Sequence, residues 1–251
     1  MVKYMANNKK KKINIKGLLV ILLALYLIIM VFYYAITLPV NNIIIKGNNL
    51  VNDSKILEAA NISNNDKLIL LNKQRVIKNI KSSNELIDDV KIKKSLNGTI
   101  TISVVESKVL FLNILNNTFV LANGKEMNIE NNILGIPVLI NYTPSDLYAN
   151  LIKKMANIDN DIIALISEIE YSPDIKNELT IDANRFLLRM NDGNFVYIDL
   201  ANFNNLNRYK TIYATLDDEK GILNLDSSSD QVIFTTFKSL ESRQEENELS
   251  K

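Results

Sequence analysis

Three groups of residues in this chain have types and spacings that chemistry uses. Glu168 and Glu170 stand two apart, a separation that places two carboxylates on one face of a strand. Such a pair could act as the acid and base of a glycosidase or help to hold a cation. Asp217-Asp218-Glu219 is a second acidic group, and Ser227-Ser228-Ser229 offers hydroxyls. Against these stands what is missing: the 251 residues include no His, Cys or Trp. Ser-His-Asp and Cys-His nucleophile pairs, imidazole or thiolate metal sites, CxxC redox pairs and disulfides are thereby excluded. No recognisable motif places a base beside the serines, and no Gly-rich phosphate loop occurs. Asn191-Asp192-Gly193-Asn194 reads as a hairpin turn. The two glutamates read as the solvent face of a strand, and the Asp-Asp-Glu run as a helix end. The expectation is a chain with no catalytic, cofactor-binding or metal-binding residues.

The charges are unevenly placed. Lys and Arg number 29 against 28 Asp and Glu, yet six lysines and no acid precede residue 39. Between them and Pro39 runs GLLVILLALYLIIMVFYYAITL, Gly17 to Leu38, without a charge. Its length corresponds to about 33 Å of helix, enough to cross the hydrocarbon core of a bilayer. Phe32, Tyr33 and Tyr34 lie toward its far end, where aromatic rings favour the interface. A cleaved signal peptide would have a shorter apolar core and a small-x-small exit, and a buried core helix would carry a polar stripe. An uncleaved transmembrane helix over 17–38 fits better. The positive-inside bias puts residues 1–16 in the cytoplasm and residues from 40 onward outside. The run Lys9 to Lys12 can meet anionic lipid headgroups, and no accompanying fold points to nucleic acid.

Outside the span, hydrophobic periodicity changes along the chain. NIIIK (42–46) is a β-rich run closed by Gly47-Asn48-Asn49. Helices follow over 54–60 and 72–81, the second with Val76, Ile77 and Ile80 on one face. Segments 87–96 and 99–106 alternate as strands about Asn97-Gly98, which favours a type I′ hairpin turn. Strand, helix, helix, strand, strand describes a small sheet covered by two helices. Beyond residue 108, short strands are expected at 109–113, 118–122 and 137–140. Helices follow over 145–155, with Thr143 as cap and Pro144 first, and over 159–166. Strands come next at 167–171, 178–182, 186–190 and 195–199. A helix over 204–216 carries Leu206, Tyr209, Ile212, Tyr213 and Leu216 along one face, and strands at 221–226 and 231–237 end the series. Residues 239–251 are too polar to pack and read as a disordered tail. The fold class is α+β: one N-terminal transmembrane helix, a β-α-α-β-β module, then a mixed α/β domain with a mainly antiparallel sheet.

A short Lys-rich tail, one span and then NIIIKGNNLVNDSKI resemble the start of the FtsQ/DivIB cell-division proteins. In that family a strand and Gly-Asn turn open a POTRA module of the same element order. LNGTITISVVESKVLF, FVLANGKEM, GIPVLIN and GILNLD resemble later family strands, and the resemblance covers roughly residues 10–237. It departs from the family after Glu106, where Ser107-Lys108-Val109 lacks the Pro that commonly follows a Glu-Arg pair, at Ala122-Asn123, and at Asp226, which replaces an Arg and reverses its charge.

The resemblance implies a cytoplasmic tail (1–16), a span (17–38), a POTRA-like domain (40–107), a β domain (108–238) and a disordered tail (239–251). It also implies a non-enzymatic, single-pass scaffold at the division septum, binding FtsB/DivIC-like and FtsL-like membrane proteins through strand addition. The surface carried over by position is Tyr209, Tyr213, Ile222, Asn224, Asp226, Gln231, Val232, Ile233, Phe234, Thr235, Thr236 and Phe237. Proline at Thr235 is expected to remove an edge donor there. The competing reading from another class is a membrane-anchored extracytoplasmic enzyme or sensor acting on the cell wall.

Overall fold

Ile15–Thr37 forms one continuous helix, α1, whose first turn is capped where the Asn14 side chain accepts the Gly17 N–H at 3.4 Å. It is long and apolar enough to cross a membrane, and none of its residues is buried. The structure, a computed structural model, describes residues 14–63, 65–128, 133–226 and 232–249. The Lys9–Lys12 run, the Ser227–Asp230 loop and Gln231 lie outside those residues. The chain divides into two units, one comprising residues up to Ser83 with Asp89–Val105, the other Asn84–Asp88 with everything from Glu106.

In the first unit α1 is followed by β1 (Asn42–Lys46), α2 (Asp53–Ala60), α3 (Lys73–Ser83), β2 (Ile87–Ser95) and β3 (Thr99–Glu106). The sheet order is β1-β3-β2, with β1 parallel to β3 in the register Asn42/Thr99 to Lys46/Ser103. Apolar spacing sets what is buried: Ile56 and Ala60 on α2, Val76 and Ile80 on α3, Ile100, Ile102 and Val104 on β3. The β2–β3 turn differs from the type I′ expectation. Gly98 alone takes positive φ (+83°), and its N–H donates to Ser95 O at 3.0 Å. That is a three-residue loop, a type I turn followed by a left-handed residue. Two consecutive positive φ values do occur at Asn177 (+48°) and Glu178 (+68°), where no Gly marks them.

In the second unit come β4 (Val109–Asn113), β5 (Thr118–Leu121), β6 (Glu126–Asn128) and β7 (Val138–Leu139), then α4 (Ser145–Ala156) and α5 (Asn160–Ile163). Next are β8 (Ile166–Tyr171), β9 (Asp174–Lys176), β10 (Leu179–Asp182), β11 (Arg185–Met190) and β12 (Phe195–Asp199). A 3-10 helix (Phe203–Arg208), α6 (Tyr209–Tyr213), β13 (Gly221–Asn224), β14 (Ile233–Thr236) and α7 (Phe237–Leu249) complete it. Nine strands form one sheet, β14-β13-β12-β11-β8-β7-β4-β5-β6, and β9 pairs β10 as a separate ribbon. The sheet is antiparallel except at β12/β13, β7/β8 and β4/β7. Its core gathers Phe111, Leu151, Met155, Ile162, Phe186 and Phe203.

Four further expectations need correction. The 204–216 helix is split into a 3-10 turn and α6, because the Asn-rich start FNNLN favours local side-chain bonding over a regular helix. The strand expected over 231–237 spans only Ile233–Thr236, since Phe237 already begins α7. Helix also occupies Phe237–Leu249, overlapping residues 239–251, where a disordered tail was expected. Thr236 Oγ1 accepts the Ser239 N–H at 3.2 Å, and the Glu, Gln, Arg, Lys and Leu that follow are good helix formers. Thr143 does not cap α4: Pro144 occupies the cap position, and the buried Thr143 hydroxyl has no hydrogen-bond partner.

Gly47 sets the spacing at the far end of the small sheet. Its φ is +86°, and a Cβ there would sit 2.3 Å from the Val104 carbonyl oxygen. Gly47→Ala is expected to destabilise this unit by about 1–3 kcal/mol, read as a lower urea midpoint with unchanged slope.

Candidate partner-binding edge

The backbone decides what the last strand can offer. β14 runs antiparallel to β13 with Gly221 opposite Thr236, Ile222 opposite Thr235, Leu223 opposite Phe234 and Asn224 opposite Ile233. Just beyond, the Phe237 N–H donates to Lys220 O at 3.0 Å. In an antiparallel ladder that bond makes Gly221/Thr236 a non-hydrogen-bonded pair and Ile222/Thr235 the hydrogen-bonded one. The N–H and C=O of Thr235 and Ile233 therefore turn into the sheet, and those of Phe234 and Thr236 turn outward. Among the described residues no strand lies on the outer side of β14. The Thr236 carbonyl accepts from Ser239 Oγ at 2.9 Å. This leaves both backbone groups of Phe234 and the N–H of Thr236 facing out. Proline at Thr235 would thus cut the ladder to β13 instead of removing an edge donor, which corrects the sequence expectation.

Three residues hold β14 in this register. Gly221 is the point of closest approach: a Cβ there would stand 2.2 Å from Thr235 O and 2.8 Å from Thr236 Cα. Its N–H is accepted by Asn194 Oδ1 at 2.9 Å, inside the core. Asn194 Nδ2 donates to the Tyr209 hydroxyl at 3.3 Å, and that hydroxyl donates to Asp192 Oδ2 at 2.6 Å. Burial, and then the bond to Asp192, hold the Tyr209 phenol well above its ordinary pKa. Tyr209 is only 1% exposed, so it supports the edge from within and touches no partner itself. Tyr213 stacks on it at 6.2 Å and accepts a bond from Lys220 Nζ at 3.1 Å, which raises the lysine pKa. Asn194 escaped sequence reading because nothing local distinguishes a buried Asn from the turn residues beside it.

Side chains at the edge separate by strand alternation. Val232 and Phe234 pack against the core. Ile233, 56% exposed, and Thr235 lie on the opposite face with Ile222 and Asn224, their register partners. Phe237 meets Phe195 edge-on, with centroids 5.3 Å apart. The same face carries the two glutamates. Arg189 Nη1 donates to Glu168 at 2.8 Å and Nη2 to Glu170 at 2.7 Å, with the guanidinium carbon 5.9 Å from the Phe195 ring centroid. Both carboxylates are thus tied by one cation, an arrangement that suits a sheet surface. Asp217 and Asp218 take left-handed backbone (φ +47° and +61°) just after α6. Among the described residues no group of three acidic, His or Cys side chains is placed to hold a metal. Asp226 follows β13, its carbonyl accepting from Asn202 Nδ2 at 2.8 Å. Burial pushes its carboxyl pKa up, opposed by its own backbone N–H and by Arg185, and aided by Asp199 and Asp182.

Gly221→Ala should force β13 and β14 apart, with loss of hydrogen-exchange protection at the Thr235 and Ile233 amides while the β8 and β11 amides stay protected. A carboxyl whose folded pKa is raised favours the protonated fold, so its stabilising share falls as pH rises through that pKa. Asp226→Asn is therefore expected to raise thermal stability at pH 7. The gain should vanish on acidification below the carboxylate range, a comparison that melting curves against pH will give.

Comparison with known proteins accords with this architecture. The family model of the FtsQ-type POTRA domain matches residues 38–107. Cell division protein DivIB of Bacillus subtilis (strain 168) is 28% identical over 230 residues, covering 87% of this chain and 83% of that protein. DivIB of Brevibacillus brevis is 26% identical over 218 residues, covering 82% and 79%. A solved structure of the major extracytoplasmic domain of DivIB from Geobacillus stearothermophilus, in its trans isomer, is 27% identical. It covers 45% of this chain and 95% of that one with a TM-score of 0.35. Residues 38–107 thus match the FtsQ-type POTRA domain, and along most of its length the chain is similar to cell division proteins named DivIB.

Proposed function

We propose that this chain is a non-enzymatic scaffold of cell division, held in the cytoplasmic membrane by α1, that binds other single-pass division proteins by accepting a strand at β14. The open outer side of β14 carries the reading, because it presents unpaired backbone groups that an extended segment of another chain can satisfy. Its relatives are named cell division proteins, which supports the cellular role. Tail (1–16), span (17–38), POTRA-like domain (40–107) and β domain (108–238) are the proposed parts, with the N-terminus cytoplasmic, the domains outside and the protein at the septum. FtsB/DivIC-like and FtsL-like proteins are the proposed partners. The incoming strand would lie beside Phe234 and Thr236, with Ile233, Thr235, Ile222 and Asn224 setting side-chain preference and Asp226 favouring a basic partner residue. Tethering such proteins to one membrane raises their effective concentration for each other, which is the whole mechanism.

The test separates the backbone donor from the cap. Thr236→Pro removes an outward N–H, while Thr236→Ala removes only the side-chain cap of α7. One edge hydrogen bond of about 1–1.5 kcal/mol corresponds to roughly tenfold in affinity. With the full chain in nanodiscs titrated by a purified FtsB/DivIC-type partner, Thr236→Pro should weaken binding by about tenfold and Thr236→Ala by less than about threefold. Equal affinities for the proline variant and the parent would refute strand addition at this edge.

A further inference from the structure

The first unit leaves the end of α1 with almost no free chain. α1 ends at Thr37 and β1 begins at Asn42. Each intervening stretch is latched: Leu38 O accepts the Leu68 N–H at 2.9 Å, the Val40 N–H donates to Asp66 O at 3.0 Å, and the Asn41 N–H donates to Gly98 O at 2.9 Å. Gly98 is pressed so closely on this exit that a Cβ would meet Asn41 Nδ2 at 2.6 Å and Pro39 O at 2.9 Å. Two turns, 66–71 and 95–98, are therefore fixed beside the point where the apolar helix stops. Lys94 joins them, its Nζ donating to Ile69 O at 3.2 Å and Leu71 O at 2.7 Å.

What these turns expose is unusual for a wet surface. Ile69 is 46% exposed, Leu70 67% and Leu96 82%. Exposed Lys67, Lys73 and Arg75 stand on or next to the first of these turns, with Asp66 the acid on the same turn. Asp66 is engaged, its Oδ2 accepting the Ser63 N–H at 2.9 Å. Lys67 and Arg75 also border an open cleft with Leu70 and Leu71. Aliphatic side chains at turn tips, ringed by cations, match the boundary between acyl chains and phosphate headgroups.

We propose that these two turns form a membrane-contacting rim, with Ile69, Leu70 and Leu96 entering the interface of the bilayer that α1 crosses and Lys67, Lys73 and Arg75 meeting anionic phospholipid. The inference rests on α1 being a membrane anchor. It assigns a second lipid contact, on the opposite side of the bilayer from the N-terminal lysines.

The absence of cysteine lets one label be placed at a time in the full chain. Bimane on Leu70→Cys, Leu96→Cys, Val105→Cys or Ala24→Cys is measured in vesicles of equal parts phosphatidylcholine and phosphatidylglycerol, with nitroxide on the upper acyl chain as quencher. Val105 is exposed and lies about 20 Å along β3 from Thr99, so it reports the far end of the same unit. Quenching at positions 70 and 96 should exceed that at 105 by about threefold or more, and Leu70→Asp should at least halve quenching of the label at 96. Quenching at 70 and 96 no stronger than at 105, with Ala24→Cys strongly quenched, would overturn the rim alone. An unquenched label at 24 would remove the anchor, and the rim with it.

Discussion

Successive peptide groups of a β-strand point to opposite sides, so a strand paired on one side leaves every second residue's N–H and C=O directed away. Most of what is distinctive in the second unit serves that geometry at β14. Gly221 lets the strand approach, Asn194 takes up the Gly221 N–H inside the core, and Tyr209 holds Asn194 from behind. The side chains divide accordingly, with Val232 and Phe234 turned to the core while Ile233 and Thr235 remain with Ile222 and Asn224 on the other face. An inward Asn is expensive to bury unless each polar group is met. Here Oδ1 and Nδ2 both find partners, which makes the buried network a device for holding one register.

Among the described residues, the paired strand carboxylates are engaged in structure. Glu168 and Glu170 would be two free carboxylates on a strand but for Arg189, which binds one with each Nη and sits over Phe195. A planar guanidinium fork suits this double role, and Lys could not replace it. Asp192 accepts from a buried tyrosine, and Asp217 and Asp218 occupy backbone conformations that short polar side chains tolerate. Among the described residues, the outward backbone groups of Phe234 stand without a neighbouring strand at β14.

Much of this was legible from residue patterns where one periodicity dominated. β3 alternates without interruption from Thr99 to Val104, and its buried residues are the alternate ones. The apolar run of α1 admits no other element. Legibility failed where the deciding contact came from elsewhere in the chain. Phe237 looks like the last residue of an alternating strand until the Thr236 cap starts a helix beneath it. Asn177-Glu178 makes a primed-type turn without glycine because β9 and β10 pair on either side of it and close the chain there. At the candidate edge the directions of the Thr235 and Thr236 backbone groups are the reverse of the sequence expectation. Side-chain alternation can be read from sequence, but the phase of the hydrogen bonds depends on which pair is narrow, and one bond from Phe237 settles that.

The four residues between α1 and β1 have a mechanical meaning. A flexible tether would let the outer module sweep a hemisphere above the lipid and search for neighbours at several heights. Here Leu38, Val40 and Asn41 are each bonded to a turn of the module, so slack is absent. Tilting or rotating the helix must swing the first unit as a lever. With α1 in the bilayer as proposed, the first unit is thereby held at one height and one bearing relative to that helix.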